Sequence, residues 1–378
     1  MIDHANLSMA ALDLVDPTAA VSEALLLSSS VEEIEVTDPA TGDYVGELAA
    51  STGPDAEAAL RRARGQADEG RWTQMNAEER GDLLTRLVGV LEDKAGALTE
   101  IGTLESGTPA QFSSFIHAQA PIDLVRAAQC VPTDAGLDVV AIGWHQPLYF
   151  CLRTVADSLS HGRASIVVPS TSAPLSTIAL LNCLLEADLP KGIVTALLGT
   201  DDVFEVLGPE SADTWTDSRP GSSASGSQPI LVGPGADSGE LWRSALLAHS
   251  IRAGWRPGAT HLLVPQDELG DFLAGGTQVL DSLIVGDPWD DSTEVGPIVV
   301  GSDPIETYLS GLASGGAEIE RGPEPENPDY FVAPAIAAQV DEPTVALDSA
   351  VCGPIVALIG YPDAQTADTW VATAYRSS

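Results

Sequence analysis

Apolar residues recur every three or four positions at Leu83, Leu84, Leu87, Val90, Leu91, Leu98 and Ile101, the period of a helix that buries one face. Asn76, followed three residues later by Glu79, places a capping box at its start. Ala56, Ala59, Leu60, Ala63 and Ala67 predict an earlier helix over 55–67. Ahead of both, Ile34 and Val36 alternate with Glu33 and Glu35. The turn Asp38-Pro39-Ala40-Thr41-Gly42 then leads into Tyr44–Leu48, a hairpin pattern. Residues 1–30 are weakly patterned and are expected to form a loosely held leader or a short helix.

From about residue 137 the pattern becomes strand, helix, strand. Val139–Ile142, Ser165–Val168 and Ile193–Leu198 read as buried strands, with helices over 147–160 and 174–187 between them. Pro174 is tolerated in a first turn, and Pro190 lies beyond the second helix. Such alternation predicts a parallel, doubly wound sheet, which binds ligands outside the carboxyl ends of its strands. No GxGxxG is present. Residues 219–228 are a low-complexity linker. Beyond it, Ile230–Val232 (strand), 239–251 (helix), Thr260–Val264 (strand) and 266–273 (helix) resume the alternation, and Gly322–Pro328 reads as a loop.

Charge narrows the candidate partners. The 378 residues carry 17 basic and 55 acidic side chains, a net charge of −38, and the only lysines are Lys94 and Lys191. Such a chain repels phosphate backbones, which excludes nucleic acid as an expected partner. Its carboxylates also repel one another unless salt shortens the screening length to about 3 Å, as at roughly 1 M. The acidic residues are spread along the whole chain, which points to adaptation to a salt-rich cytoplasm. Residues 1–30 contain Asp3, Asp13 and Asp16 but no Lys or Arg, unlike a secretory signal. No apolar run approaches the roughly 18 residues of a membrane helix, so a cytoplasmic protein without a membrane partner is expected. Cys130, Cys151, Cys183 and Cys352 form no CxxC pair and no cluster with histidine, which indicates neither a metal site nor a disulfide framework.

A series of short strings runs over residues 38–375. The first are Asp38-Pro39-Ala40-Thr41-Gly42, Leu104-Glu105-Ser106-Gly107-Thr108-Pro109 and Trp144-His145-Gln146-Pro147-Leu148. Val167-Val168-Pro169-Ser170 and Leu189-Pro190-Lys191-Gly192-Ile193-Val194 come next, then Val285-Gly286-Asp287-Pro288 and Glu294-Val295-Gly296-Pro297-Ile298. Tyr330-Phe331-Val332-Ala333-Pro334 and Val351-Cys352-Gly353-Pro354-Ile355 complete the series. In this order and spacing the chain resembles the aldehyde dehydrogenase superfamily. The resemblance implies an α/β fold: a Rossmann-like parallel-sheet cofactor domain over 31–235, to which 356–378 return, and a second, catalytic-type α/β domain over 236–355. Residues 1–30 would be a leader outside both, and the active site would lie in a tunnel between the domains. It also implies NAD- or NADP-dependent oxidation of a small aldehyde to a carboxylic acid. In that reaction a cysteine thiolate attacks the carbonyl, an asparagine amide holds the oxyanion, and a glutamate activates water.

Residue by residue, the family's chemistry is thinned out. His145 stands at the oxyanion asparagine; a neutral imidazole N–H could still donate there. Val168 replaces the lysine and Thr171 the acidic residue that hold the cofactor's ribose. Trp144, Pro169, Thr216 and Ser218 keep family positions beside the cofactor. Within Trp215-Thr216-Asp217-Ser218, however, Asp217 puts a carboxylate where a glycine admits the pyrophosphate. The string carrying the general base has no counterpart between 219 and 230. The nucleophile segment matches Gly254–Val264, with Arg256 or Pro257 near the cysteine's place, and the glutamate that partners the nicotinamide ribose falls near Ser349 or Ala350. Cys151 and Cys352 read as packing residues, and His249 and His261 as surface or core histidines. Only Val131–Leu137 separate the preceding helix from the mid-chain strand, too few for the family's pairing hairpin, and the sequence ends at Ser378, so the family's dimer and tetramer contacts are not expected.

These substitutions predict a superfamily member that keeps the scaffold and lacks thiol-based oxidation. Two alternatives stand beside this reading: an active NAD- or NADP-dependent oxidoreductase with a substituted site, and a non-catalytic homologue that binds a nucleotide or a protein partner.

Overall fold

The computed structural model describes every residue except 1, 3, 220–227, 237, 249–259, 300, 341–352, 377 and 378. The chain forms two compact units. One comprises Met1–Ser106 and Ser113–Arg219, the other Gly107–Phe112 and Pro220–Ser378.

In the first unit, helices α1 (Met9–Leu14) and α2 (Thr18–Ser22) precede the two-residue strand β1 (Leu26–Leu27). The expected hairpin forms from β2 (Glu33–Thr37) and β3 (Tyr44–Ala49), paired antiparallel. Helix α3 (Gly53–Glu69) starts at a capping box between Thr52 and Asp55. After the short α4 (Arg71–Gln74) comes α5 (Ala77–Asp93), with the capping box of Asn76 and Glu79 in place. Its apolar stripe continues into α6 (Ala95–Ser106), but Lys94 leaves helical geometry and divides the two. After the excursion Gly107–Phe112 into the second unit, which takes most of α7 (Ala110–Ser113), a π-helical stretch (Ser114–Gln119) and α8 (Ala120–Ala127) run to the sheet.

The sheet alternates β4 (Leu137–Ala141), α9 (Pro147–His161), β5 (Ala164–Val168), α10 (Leu175–Glu186), β6 (Val194–Leu197), α11 (Asp201–Val206) and β7 (Thr214–Asp217), in the spatial order β1-β6-β5-β4-β7. All four pairings are parallel. Strands β4, β5 and β6 are buried throughout, as their near-continuous apolar runs require of central parallel strands.

The second sheet runs β10-β11-β12-β9-β8, from β8 (Gln228–Leu231), β9 (Thr260–Pro265), β10 (Glu318–Arg321), β11 (Ala335–Ala338) and β12 (Ile355–Tyr361). Only the β10–β11 pair is antiparallel. The period of two sorts its side chains into two cores. Leu262, Val264, Ile336, Val356 and Leu358 pack with Trp242 of α12 (Ser238–Leu246) and Phe272 of α13 (Leu269–Leu280). Leu263, Ala335, Ala337, Ile355, Ala357 and Ile359 pack with Leu309 of α14 (Asp303–Ser314) and Ala367 of α15 (Ala364–Arg376).

The structure corrects three expectations about the division. The described part of residues 1–30 does hold short helices, α1 and α2, but it belongs to the first unit and is not a leader outside it: β1 extends the first sheet, and the Asn182 side chain donates to the carbonyls of Leu14 and Asp16. Residues 228–231, expected in the first domain, pair with β9 in the second sheet. Residues 356–378 do not return to the first domain either. Strand β12, apolar on both faces, sits centrally between β9 and β11, and α15 packs on the same sheet. The linker over 220–227 lies outside the described residues.

Candidate functional site

The order β1-β6-β5-β4-β7 fixes where the first sheet offers a crevice. Successive strands step outward from β4 through β5 to β6, and the chain then returns to the other side of β4 as β7. The topological switch point therefore lies between β4 and β7, at their carboxyl ends.

After β4 the chain runs through Ile142, whose N–H donates to Val168 O, into buried Trp144, His145 and Gln146. Gln146 has φ 49° and ψ 54°, a left-handed conformation that turns the backbone sharply into α9, with Pro147 opening the helix. The Trp144 indole and His145 imidazole meet edge to face at 5.5 Å, and the indole N–H has no hydrogen-bond partner.

Close to His145 lies His117, in the π-helical stretch and fully buried. Burial, helped by the charge of His145, lowers its pKa to about 3, so the ring is neutral. Gly102 of α6 makes room for it: a Cβ there would fall 2.1 Å from the imidazole. Ser106 Oγ donates its one proton to Gly102 O at 2.6 Å. His117 Nε2 lies 3.1 Å from the same Oγ, and Nδ1 has no hydrogen-bond partner. A Ser–His dyad for nucleophilic attack needs a basic imidazole, which burial denies this ring. The pair is structural.

Glu105, beside Ser106 on α6, serves α10. Pro174 at that helix's N-cap supplies no side-chain acceptor; instead the Glu105 carboxylate accepts the N–H groups of Leu175 (2.7 Å) and Ser176 (3.0 Å), two of the donors a helix start leaves open. Burial outweighs these bonds and raises its pKa to about 7. A carboxyl whose pKa is raised on folding contributes stability that is complete below its unfolded value and lost as pH rises through the folded one. Between pH 5 and 8 the wild type should lose on the order of 3 kcal/mol relative to Glu105→Gln, 2.5 pKa units at about 1.4 kcal/mol each. Parallel unfolding curves for the two proteins across that range would rule this out.

The sequence-predicted residues are distributed unevenly. Trp144, His145 and Pro169 sit at the carboxyl ends of β4 and β5, and Thr216 lies in β7. Ser218 uses both its N–H (2.9 Å) and its hydroxyl (3.1 Å) on Ala141 O, which zips β7 to β4. Arg256, Pro257, His249, Ser349, Ala350 and Cys352 lie outside the described residues. His261 is buried in β9 with its Nε2 3.3 Å from the Tyr308 hydroxyl, a core pair. Among the described cysteines, Cys151 and Cys183 are buried in α9 and α10, and burial pushes both thiols up, Cys183 to about 12. The half-buried Cys130 is raised as well, because burial outweighs the nearby Arg80.

Sequence reasoning passed over two of these residues. Glu105 belonged to a recognised string without a role; the signal was Pro174, which leaves α10 in need of an acceptor from elsewhere. His117 carried no local signal, because its pocket depends on Gly102, fifteen residues away. Among the described residues there is no cluster of metal-ligating side chains, and no helix is long and apolar enough to cross a membrane.

A profile of the aldehyde dehydrogenase family matches residues 26–210 and 220–374. Similar proteins include the betaine aldehyde dehydrogenase of Rhizobium leguminosarum bv. trifolii, 26% identical and covering 87% of this chain and 77% of the relative. That of Agrobacterium fabrum is 25% identical, covering 86% and 75%. Among solved structures, the NAD+ complex of a Mycobacterium tuberculosis aldehyde dehydrogenase aligns with a TM-score of 0.79 at 21% identity, covering 91% of this chain and 80% of that one. The NAD+ complex of betaine aldehyde dehydrogenase from Staphylococcus aureus aligns with 0.79 at 20%, covering 91% and 78%.

Proposed function

The chain belongs to the aldehyde dehydrogenase family, and from that premise we propose that it keeps the family's scaffold without carrying out thiol-based aldehyde oxidation. The state of its thiols carries this reading. Attack on an aldehyde carbon requires a thiolate. A thiol with a pKa of about 12, like Cys183, is ionised at pH 7 to roughly one part in 10⁵. Cys151 and Cys130 are shifted in the same direction. The fourth cysteine, Cys352, lies in the Gly-Pro string near the end of the chain, and the segment Gly254–Val264, which matches the family's nucleophile, contains none.

The other chemical positions support the same reading. Without a glutamate corresponding to the general base, water would have no activating carboxylate at that place. His145 is the polar group at the position where an oxyanion would rest. A buried imidazole N–H beside Trp144 is a workable donor, and this favours the second reading, an oxidoreductase with a substituted nucleophile acting on a small aldehyde with NAD or NADP.

A screen of short and aromatic aldehydes with NAD+ and NADP+ in molar KCl separates the two. The full-length protein is expected to give no aldehyde-dependent rise in reduced cofactor above the protein-free rate. A saturable rate with any aldehyde would overturn the proposal and establish the second reading.

A further inference from the structure

The carboxyl edge of the first sheet is roofed by its own side chains. Val168, the last residue of β5, packs over Gly199 beyond β6, where a Cβ would meet Val168 Cγ1 at 2.4 Å and the Phe204 ring at 3.2 Å. Phe204, on α11, in turn lies under the Arg219 guanidinium, whose central carbon stands 4.2 Å from the ring centroid. Arg219 closes the series on Asp217, the last residue of β7. Its Nε and Nη2 donate to the two carboxylate oxygens at 2.9 and 2.7 Å, and its backbone N–H donates to Oδ1 at 3.0 Å.

The span of this contact matters. Strand β6 and strand β7 are separated by β5 and β4, three inter-strand spacings or roughly 14 Å. A stack between Phe204 of α11, the helix that follows β6, and Arg219, two residues beyond β7, therefore joins the carboxyl-end connections of two strands that flank β5 and β4. That is where a doubly wound sheet receives its ligand.

From this geometry we propose that Asp217, Arg219 and Phe204 form an internal strap that closes the switch-point crevice to a nicotinamide dinucleotide. A dinucleotide needs close backbone approach for its pyrophosphate and a polar seat for its ribose. Here Gly199 is covered by Val168 and Phe204, and Ser218 is committed to Ala141 O. Moving Arg219 aside would leave the Asp217 carboxylate facing the incoming phosphates. The residues present do not fit the cofactor. Both ends of the strap are held by directional contacts: a fork of N–H donors on a carboxylate and a cation on an aromatic face. Contacts of about 3 Å persist in molar salt, where longer-range attraction is screened.

The strap concerns binding, so it can fail while the thiol reading stands. The test is equilibrium dialysis of the full-length protein in molar KCl with AMP, NAD+ and NADH. The wild type is expected to show no saturable binding up to millimolar ligand. The double variant Asp217→Gly/Arg219→Ala should bind AMP at least about tenfold more tightly than the wild type. Arg219→Ala alone should gain less, because it removes the cation and keeps the carboxylate. Phe204→Leu, which keeps apolar volume but removes the flat ring, should also gain and provides the readout if the double variant does not fold. Tight saturable binding of NADH to the wild type overturns the strap even when no aldehyde is oxidised. So does a folded double variant, or a folded Phe204→Leu protein, with no gain over the wild type.

Discussion

On transfer from about 3 M KCl to about 0.1 M, the protein is expected to lose at least roughly 10 °C of melting temperature. The net charge of −38 is the reason. Among the described residues, Asp38, Glu105, Asp138 and Glu294 are the buried acids, so nearly all the remaining carboxylates lie at or near the surface. The cations are too few to balance them. Both lysines are already engaged, Lys94 with Glu186 and Lys191 with Glu23, and exposed pairs of this kind each contribute about 0–1 kcal/mol. At 0.1 M the screening length is about 10 Å, and at molar salt it is about 3 Å. At roughly 2–4 °C per kcal/mol, the expected shift corresponds to several kcal/mol of relieved repulsion. Chloride is the right anion for the measurement, since sulfate stabilises proteins by exclusion irrespective of charge. A melting temperature that stays flat or falls as KCl is added would remove the case for salt adaptation.

Arg80→Met is expected to cost about 3 kcal/mol, read as a lower denaturant midpoint at unchanged slope. Arg80 is fully buried on α5, and no carboxylate among the described residues lies within ion-pairing distance. Its guanidinium instead donates to Met75 O (2.9 Å), Thr133 Oγ1 (2.6 Å), Val131 O and Ser160 O (3.5 Å). It thereby ties the start of α5 to the segment that leads into β4. Two effects oppose each other here. Removing a buried cation relieves its desolvation, while its loss takes a charged donor from one buried and three part-buried acceptors, at about 1–3 kcal/mol for each that water does not reach. Ser160 O keeps the N–H of Val131, but Val131 O and Met75 O lose a charged donor, so the second effect should prevail. Arg80→Lys, with three donors on a single nitrogen, should fall between the two. A methionine variant as stable as the wild type would show that the desolvation term dominates.

Much of the fold could be read from local periodicity. The hairpin, the capping box of Asn76 and Glu79 and the buried strands β4 to β6 each announce themselves within a dozen residues. The failures share a physical cause, dependence on distant partners. The resemblance returned residues 356–378 to the first domain, because nothing in Ile355–Tyr361 itself says which sheet it centres; its pairing with β9 and β11 decides that. The leader lacks periodicity because its order comes from Asn182, more than 160 residues away. At the site, Asp217 was legible as a misplaced carboxylate. That Arg219 holds it, and that Phe204 carries Arg219, was not, since Phe204 comes from α11, thirteen residues before Asp217 at the end of β7.

The short excursion Gly107–Phe112 belongs to the second unit, although the first unit resumes immediately after it. Ala110 N–H donates to Pro288 O, and the Gln111 side chain bonds Thr293 O, 182 residues further along. At roughly 5–20 residues per second, a ribosome needs on the order of 10–40 s to supply those partners. Throughout that interval Phe112, which finally packs against the second unit's core, emerges on the nascent chain with nothing to cover it. Neither unit corresponds to one uninterrupted stretch of polypeptide, so a gene cut at Arg219 would leave the upstream product with this apolar loop bare and the downstream product short of a piece of its own core.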